Sequence, residues 1–239
     1  MLSRLSNMEA RNLHASQSDY AGYAACTVAA CKIGAALLAA NAANERCDVL
    51  TLVDAELRTA CQLWSEAGVN FLTPHQALKL FPPLSSALVL REEHFCNARG
   101  AEFMEESSLT VPSVAAVLTQ WDRGDGGRQP AETFCVAVRD GYSFLLAKHG
   151  VYYYCIDTHE NALQRRRSAI VPNLRVQPTP GRETKGLLCK SLFLLDILKF
   201  VENYCAYQAT PLPTANSSSN QIDIAVFGRR TQQAGSKTK

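Results

Sequence analysis

The segment TFCVAVRDGYSFLLAKHGVYYYCIDTHE, residues 133–160, decides the fold class of this chain. Two triplets within it, Arg139-Asp140-Gly141 and Lys148-His149-Gly150, are turn signals. They separate three runs that are rich in β-branched and aromatic residues, TFCVAV (133–138), YSFLLA (142–147) and VYYYCID (151–157). Three such runs joined by short turns predict an antiparallel β-meander.

The residues before this segment have helical patterns instead. Residues 26–40 are apolar almost all round, which predicts a central, buried helix. Residues 48–68 predict a second helix, with Asp48 as its N-cap and Gly68 at its end. Two shorter helices are expected to begin at Thr73-Pro74 and at Pro112-Ser113, with a short strand over 86–90 between them.

The residues after the meander predict a long polar loop, a helix and a last strand. These elements are expected over 160–186, 191–207 and 222–228. Because the helices come first and most strands later, the expected fold class is α+β. A flexible segment over 1–13 and a disordered tail over 229–239 are expected to flank one domain, residues 14–228.

Composition narrows the possible functions. The chain has 239 residues, 47% of them hydrophobic, and a formal net charge of +2, so it is expected to be globular and not to bind nucleic acid. The first 20 residues have no apolar core, so no secretory leader is expected. The alanine-rich residues 26–40 carry Lys32 and are expected to be a buried helix rather than a membrane span.

The nine cysteines are expected to be reduced thiols of an intracellular protein, in the cytoplasm or the nucleus. No CxxC pair occurs, so neither a structural zinc site nor another cofactor is expected. Most of these cysteines should be small core residues, and one or two should be reactive.

Asp157 and His159 lie two residues apart at the end of the predicted meander. On one strand face, the aspartate could orient the imidazole as a general base. Cys26 is the best candidate nucleophile, because the N-terminus of a helix lowers the pKa of a thiol. Cys155 shares the strand parity of the pair and is the alternative. Gln17 is the best side-chain amide for stabilising an oxyanion.

These residues resemble a known family, the herpesvirus large tegument protein deubiquitinases and their viral tegument-like relatives. The likeness lies in Gln17-Ser18-Asp19-Tyr20 followed by Ala21-Gly22 and Cys26-Thr27, in residues 141–160 ending in Asp-x-His, and in the late helix LFLLDILKFVENY. It spans about residues 14 to 207. The chain departs from the family at Ala25, where a polar residue is usual, and in the shorter interval between Gln17 and Cys26.

The resemblance implies a papain-like cysteine peptidase, with a nucleophile helix packed on an antiparallel sheet. Its expected reaction is hydrolysis of isopeptide bonds after the C-terminal glycine of ubiquitin, polyubiquitin chains or a ubiquitin-like modifier, with Cys26, His159 and Asp157 as the triad. The basic ubiquitin tail would need carboxylates, for which Glu102, Glu105 and Glu106, or Glu92 and Glu93, are candidates.

Two other functions remain open from the sequence. One is a different Cys-His-Asp enzyme, such as an acyltransferase or a transglutaminase-like protein. The other is a non-catalytic ubiquitin-binding module on the same fold. A thiol with an unshifted pKa would count against both enzyme hypotheses.

Overall fold

The computed structural model describes residues 8–97, 112–124, 130–139, 141–160, 175–177, 185–208 and 221–230. Its centre is an eight-stranded sheet in the order β2-β8-β3-β4-β5-β7-β1-β6. All neighbouring strands are antiparallel except β1 and β6, which are parallel. The strands are β1 (Glu9–Asn12), β2 (Leu88–Asn97), β3 (Thr133–Arg139), β4 (Tyr142–His149), β5 (Tyr152–Asp157), β6 (Arg175–Gln177), β7 (Leu187–Ser191) and β8 (Gln221–Arg229).

Within the described residues, six α-helices cover the two faces of the sheet. They are α1 (Cys26–Ala42), α2 (Val49–Ala67), α3 (Pro74–Leu80), α4 (Pro82–Ala87), α5 (Val114–Arg123) and α6 (Leu194–Gln208). Short 3-10 helices occupy Gln17–Tyr20 and Pro130–Glu132. The described part of the chain is therefore α+β with helices on a largely antiparallel sheet, as the sequence predicts.

Strand alternation divides the core between the two faces. In one buried cluster, the four helices α1, α2, α3 and α4 pack on one face of the sheet, against residues such as Phe134, Ile156 and Phe227. The other joins α5 and α6 to the opposite face through Cys135, Cys155 and other residues. Successive residues of β5 belong to different clusters because a strand points alternate side chains to opposite faces.

Helix α1 crosses the first face in close contact with the sheet. Eleven of its 17 residues are buried, in agreement with its predicted central position. A Cβ on Gly34 would lie 2.5 Å from the ring of Phe134, so the helix can approach β3 only because residue 34 has no side chain.

The predicted helix ends are confirmed by their capping contacts. The side chain of Asp48 accepts hydrogen bonds from the first turn of α2, and Gly68 ends that helix in the left-handed conformation with φ at 62°. Thr73 and Gln76 form a capping box at α3, and Ser113 caps α5.

The flexible segment predicted over 1–13 is wrong for the part of it that the structure describes. Residues 9–12 form β1, which lies between β7 and β6, and Ala10 and Leu13 are fully buried. The strand is held by backbone pairing with β7, which has no signature in so short a polar sequence. The prediction for residues 1–7 and 231–239 lies outside the described residues.

Other differences are local. Pro82–Ala87 forms the short helix α4, so the strand expected from residue 86 begins at Leu88 and continues to Asn97. The predicted loop over 160–186 contains β6. The predicted helix over 191–207 begins only at Leu194, because Ser191 is the last residue of β7 and its hydroxyl accepts a hydrogen bond from the Phe193 amide in the intervening turn.

In the described part of the chain, no helix combines the length and the apolar character needed to cross a membrane.

Candidate active site

Cys26 is the first residue of α1 and is 2% exposed. The preceding turn is closed by a hydrogen bond from the Ala25 amide to the Gly22 carbonyl at 2.9 Å. The first amides of an α-helix have no partner within the helix, and together with the helix dipole they create a positive potential. The structure therefore places the predicted nucleophile where a thiolate is stabilised.

Asp157 and His159 come together through a turn, not along a strand. β5 ends at Asp157, and the backbone amide of His159 donates to the Asp157 Oδ1 at 2.9 Å. The imidazole Nδ1 is bonded to the same carboxylate oxygen. The predicted extended arrangement is therefore wrong in detail, because an Asx-type turn folds the histidine back onto the carboxylate.

The imidazole of His159 also lies close enough to the thiol of Cys26 for each group to shift the pKa of the other. Burial lowers the pKa of His159, but the charge and hydrogen bond of Asp157, with a contribution from Cys26, raise it to about 9. Burial also raises the pKa of Cys26, and the neighbouring His159 and Ser143 more than offset this effect, so that its pKa lies below the ordinary value. Both shifts therefore favour the thiolate and the imidazolium over the neutral pair.

The turn between β3 and β4 forms a wall of the site that the sequence alone does not reveal. The thiol of Cys26 lies 3.8 Å from the Gly141 carbonyl oxygen. The ring of Tyr142 lies 4.9 Å from that of His159. Ser143, which also lowers the pKa of Cys26, shares a hydrogen bond with Thr27 at 2.7 Å. Only the strand register brings these residues to the helix N-terminus, so no local motif could have identified them.

Gln17 lies in the 3-10 helix that precedes the thiol, and its side chain is buried. Its Nε2 donates to the Tyr23 carbonyl at 3.0 Å. Its backbone amide donates to the carbonyl of Thr158 at 2.9 Å, and Thr158 is the residue between Asp157 and His159. The structure thus brings Gln17 next to the His159 turn, and one amide proton is left for another acceptor.

Two glycines allow the segments of the site to approach each other. A Cβ on Gly22 would lie 2.4 Å from the Cys61 sulfur in α2. A Cβ on Gly186 would lie 2.5 Å from the Asp157 carbonyl oxygen. Both positions therefore exclude larger residues, and both lie beside the predicted triad.

The cysteines that are buried in the described core do not share this environment. Cys31 is fully buried in α1, and burial raises its pKa to about 12. Cys155, the alternative nucleophile, is also buried and packs in the core cluster on the α5 and α6 face. Cys155 therefore lies on the face of the sheet opposite α1, although it has the same strand parity as Asp157. The thiols of Cys61 and Cys96 also have pKa values that burial raises, to about 11 and about 12.

Of the predicted acidic residues, only Glu92 and Glu93 can be placed, and they lie away from the site. Glu102, Glu105 and Glu106 lie outside the described residues. Glu92 and Glu93 are exposed on β2, at the sheet edge and three strands from β4. Among the described residues, no group of three or more His, Cys, Asp or Glu side chains could hold a metal ion.

Comparison with known proteins gives a structural neighbour but no sequence relative. The sequence matches no known family model and no curated protein. The fold is similar to the crystal structure of the ubiquitin-specific protease encoded by murine cytomegalovirus tegument protein M48, in complex with a ubiquitin-based suicide substrate. The TM-score is 0.55 and the identity 11%, over 94% of this chain and 88% of the other. The chain thus shares its fold, at a distance, with a viral ubiquitin-specific protease.

Proposed function

We propose that this protein is a thiol-dependent deubiquitinase, which hydrolyses the bond after the C-terminal glycine of ubiquitin or a ubiquitin-like modifier. The observation that carries the proposal is the placement of the His159–Asp157 pair beside Cys26, at the N-terminus of the buried helix. The ubiquitin-based ligand of the structural neighbour supports ubiquitin as the substrate class.

In the first step, the Cys26 thiolate attacks the carbonyl carbon of the scissile bond. His159, held as an imidazolium, donates a proton to the leaving lysine amine, and a thioester forms. His159 then removes a proton from water, which attacks the thioester and releases the carboxylate. Asp157 holds the ring in one orientation and favours its charged form.

The oxyanion of each tetrahedral intermediate needs donors close to the thiol. The backbone amide of Cys26, at the start of α1, is one candidate. The side-chain amide of Gln17 is the other candidate. Its oxygen lies 3.5 Å from the Thr158 hydroxyl, and its nitrogen uses one of two protons to bond the Tyr23 carbonyl, so the second proton could bond the oxyanion. Together they would stabilise negative charge as it develops.

Exposed aromatic side chains lie close to the site and offer contacts for the extended tail of the substrate. Phe71 is 67% exposed, and a Cβ on Gly141 would lie 4.0 Å from its ring. Tyr23 is 71% exposed and lies three residues before Cys26 in the sequence. Large exposed aromatics near a functional group are typical of recognition surfaces.

The test is covalent labelling by ubiquitin that carries an electrophile at its C-terminus. Wild-type protein should form one adduct, at Cys26, and Cys26→Ala should form none. Cys31→Ala is the matched control, because Cys31 is a packed thiol one turn further along the same helix, and it should label normally.

Labelling that survives Cys26→Ala would overturn the assignment of the nucleophile. Absence of labelling, with hydrolysis of small acyl thioesters or esters by the wild type, would instead support an acyl-transfer enzyme. Ubiquitin binding without a reactive thiol would support a non-catalytic module.

A further inference from the structure

A second thiol and imidazole lie in contact at the other end of α1. The sulfur of Cys47, just before α2, lies 3.3 Å from Nε2 of His149, the last residue of β4. Nδ1 of the same ring lies 2.6 Å from Oδ1 of Asn41, near the end of α1. Cys26 and Asn41 are separated by 15 residues of helix, about 22 Å at 1.5 Å per residue, so this cluster is distinct from the first.

The hydrogen bonds of Asn41 determine which way the cluster is protonated. Its amide nitrogen donates to the carbonyl oxygens of Ala131 at 2.9 Å and Lys148 at 2.8 Å. Its oxygen must therefore face His149 and accept from Nδ1–H. Nε2 then carries a lone pair directed at the Cys47 sulfur, so the neutral thiol donates a hydrogen bond to the imidazole. Asn41 is thus a positioning residue for a general base.

The charges around the cluster keep it neutral at rest. Burial lowers the pKa of His149, which favours the unprotonated ring. Burial raises the pKa of Cys47, and the neighbouring carboxylates of Asp48 and Glu45 raise it further. Tyr154 of β5 is the other titratable group that interacts with Cys47, and its own pKa is raised to about 12, chiefly by burial.

The thiol is also within reach of solvent. Cys47 is half-buried, and the preceding residues 43–46 are exposed. A thiol that is accessible and bonded to an unprotonated, oriented base is a nucleophile.

We propose that Cys47 is a second nucleophilic thiol, which adds to small α,β-unsaturated carbonyl compounds with His149 as its base. As the sulfur forms a bond to the β-carbon, Nε2 of His149 takes the thiol proton and the π-electron pair of the alkene moves toward the carbonyl. The imidazolium then returns the proton to the α-carbon. The product is a thioether, and the step needs no oxidant or other reactant.

The experiment measures the rate of N-ethylmaleimide addition at Cys47 in the full chain, resolved by peptide mass spectrometry over a range of pH. For an unassisted thiol, the rate falls tenfold per pH unit below its pKa. For the wild type, we expect a plateau between the pKa of His149 and that of Cys47, because the neutral thiol reacts with its base in place. His149→Gln should remove the plateau and slow the addition about tenfold or more within that range.

Controls separate this role from a structural one. His75→Gln replaces an exposed histidine of α3 in the same way and should leave the profile unchanged, while Cys47→Ser should remove the adduct. Asn41→Asp places a carboxylate beside Nδ1 and should move the lower end of the plateau to higher pH.

A wild-type rate that falls tenfold per pH unit across the whole range would overturn the proposal, even if the variants fail to fold. So would an unchanged rate in folded His149→Gln. Labelling of Cys26 by the ubiquitin probe tests the first site separately, so either result can stand or fail without the other.

Discussion

The two ends of α1 carry the same pair of groups in opposite states. At its N-terminus, the imidazole of His159 is bonded to a carboxylate and the pKa of Cys26 is lowered. Near its C-terminus, the imidazole of His149 is bonded to an amide and the pKa of Cys47 is raised. The charge of the group behind the ring thus separates a site whose thiol pKa is lowered from one whose thiol pKa is raised.

Converting the first site into the second should have the largest effect. Asp157→Asn keeps the shape of the turn but removes the charge that raises the pKa of His159, so both the imidazolium and the thiolate become less favourable at neutral pH. We expect kcat/KM for a fluorogenic ubiquitin amide to fall about 10³-fold. Cys26 should also be alkylated more slowly at neutral pH, whereas Cys47 should react as before. Unchanged alkylation of Cys26 would show that the carboxylate does not set its ionisation.

Replacing Gln17, the proposed oxyanion donor, should slow the catalysed reaction without changing the ionisation of the Cys26 thiol. Gln17→Ala should lower kcat about 10²-fold, the usual cost of one such donor. The rate of Cys26 alkylation by a small reagent should stay the same, because His159 and Asp157 remain in place. A variant with normal kcat would exclude Gln17 from the oxyanion site and leave the amide of Cys26 as the donor.

A substitution at Gly34 should displace the whole of α1, the helix that lies between the two sites. Gly34→Ala should destabilise the protein by about 2 kcal/mol, because the new Cβ overlaps the ring of Phe134 and α1 must move from the sheet. Both thiols should change in reactivity together. Thermal unfolding measures the effect, and Ala39→Gly, exposed on the same helix, reports the cost of propensity alone. Stabilisation by Gly34→Ala would contradict the packing described for α1.

The pH dependence of the first site should show a smaller, graded effect. Because the pKa of His159 is raised to about 9, its proton is present at neutral pH and is lost as the pH rises through that value. We therefore expect kcat/KM to fall about tenfold per pH unit above it, when the imidazolium can no longer protonate the leaving group. In Asp157→Asn this decline should begin at lower pH. A wild-type decline that begins near the ordinary histidine pKa of about 6.5 would show that Asp157 does not hold the proton.

The parts of the fold that the sequence predicts are those with local signals. The meander, the buried helix and the caps at Asp48, Gly68 and Thr73 depend on alternation, apolar patterning and turn residues close in the chain. β1 and α4 were missed because short elements are held by contacts distant in sequence. The same limit explains why the clustering of Gly141, Tyr142 and Ser143 around the thiol was not foreseen.

The site was predictable where one motif contained both partners. Asp157 and His159 lie two residues apart, and the start of α1 selects Cys26 from nine cysteines. The second cluster was not predictable, because Asn41, Cys47 and His149 come from three elements. The sequence places His149 in a turn triplet, and only the strand pairing of β4 brings it to Asn41.

The position of β1 has a consequence for association between molecules. This short strand covers one side of β7, whose other side pairs with β5, the strand that ends at Asp157. Without residues 9–12, the backbone donors and acceptors of β7 would form an open sheet edge, and such an edge pairs readily with strands of other chains. The amino-terminal strand thus protects the protein from edge-to-edge aggregation next to its most reactive residues.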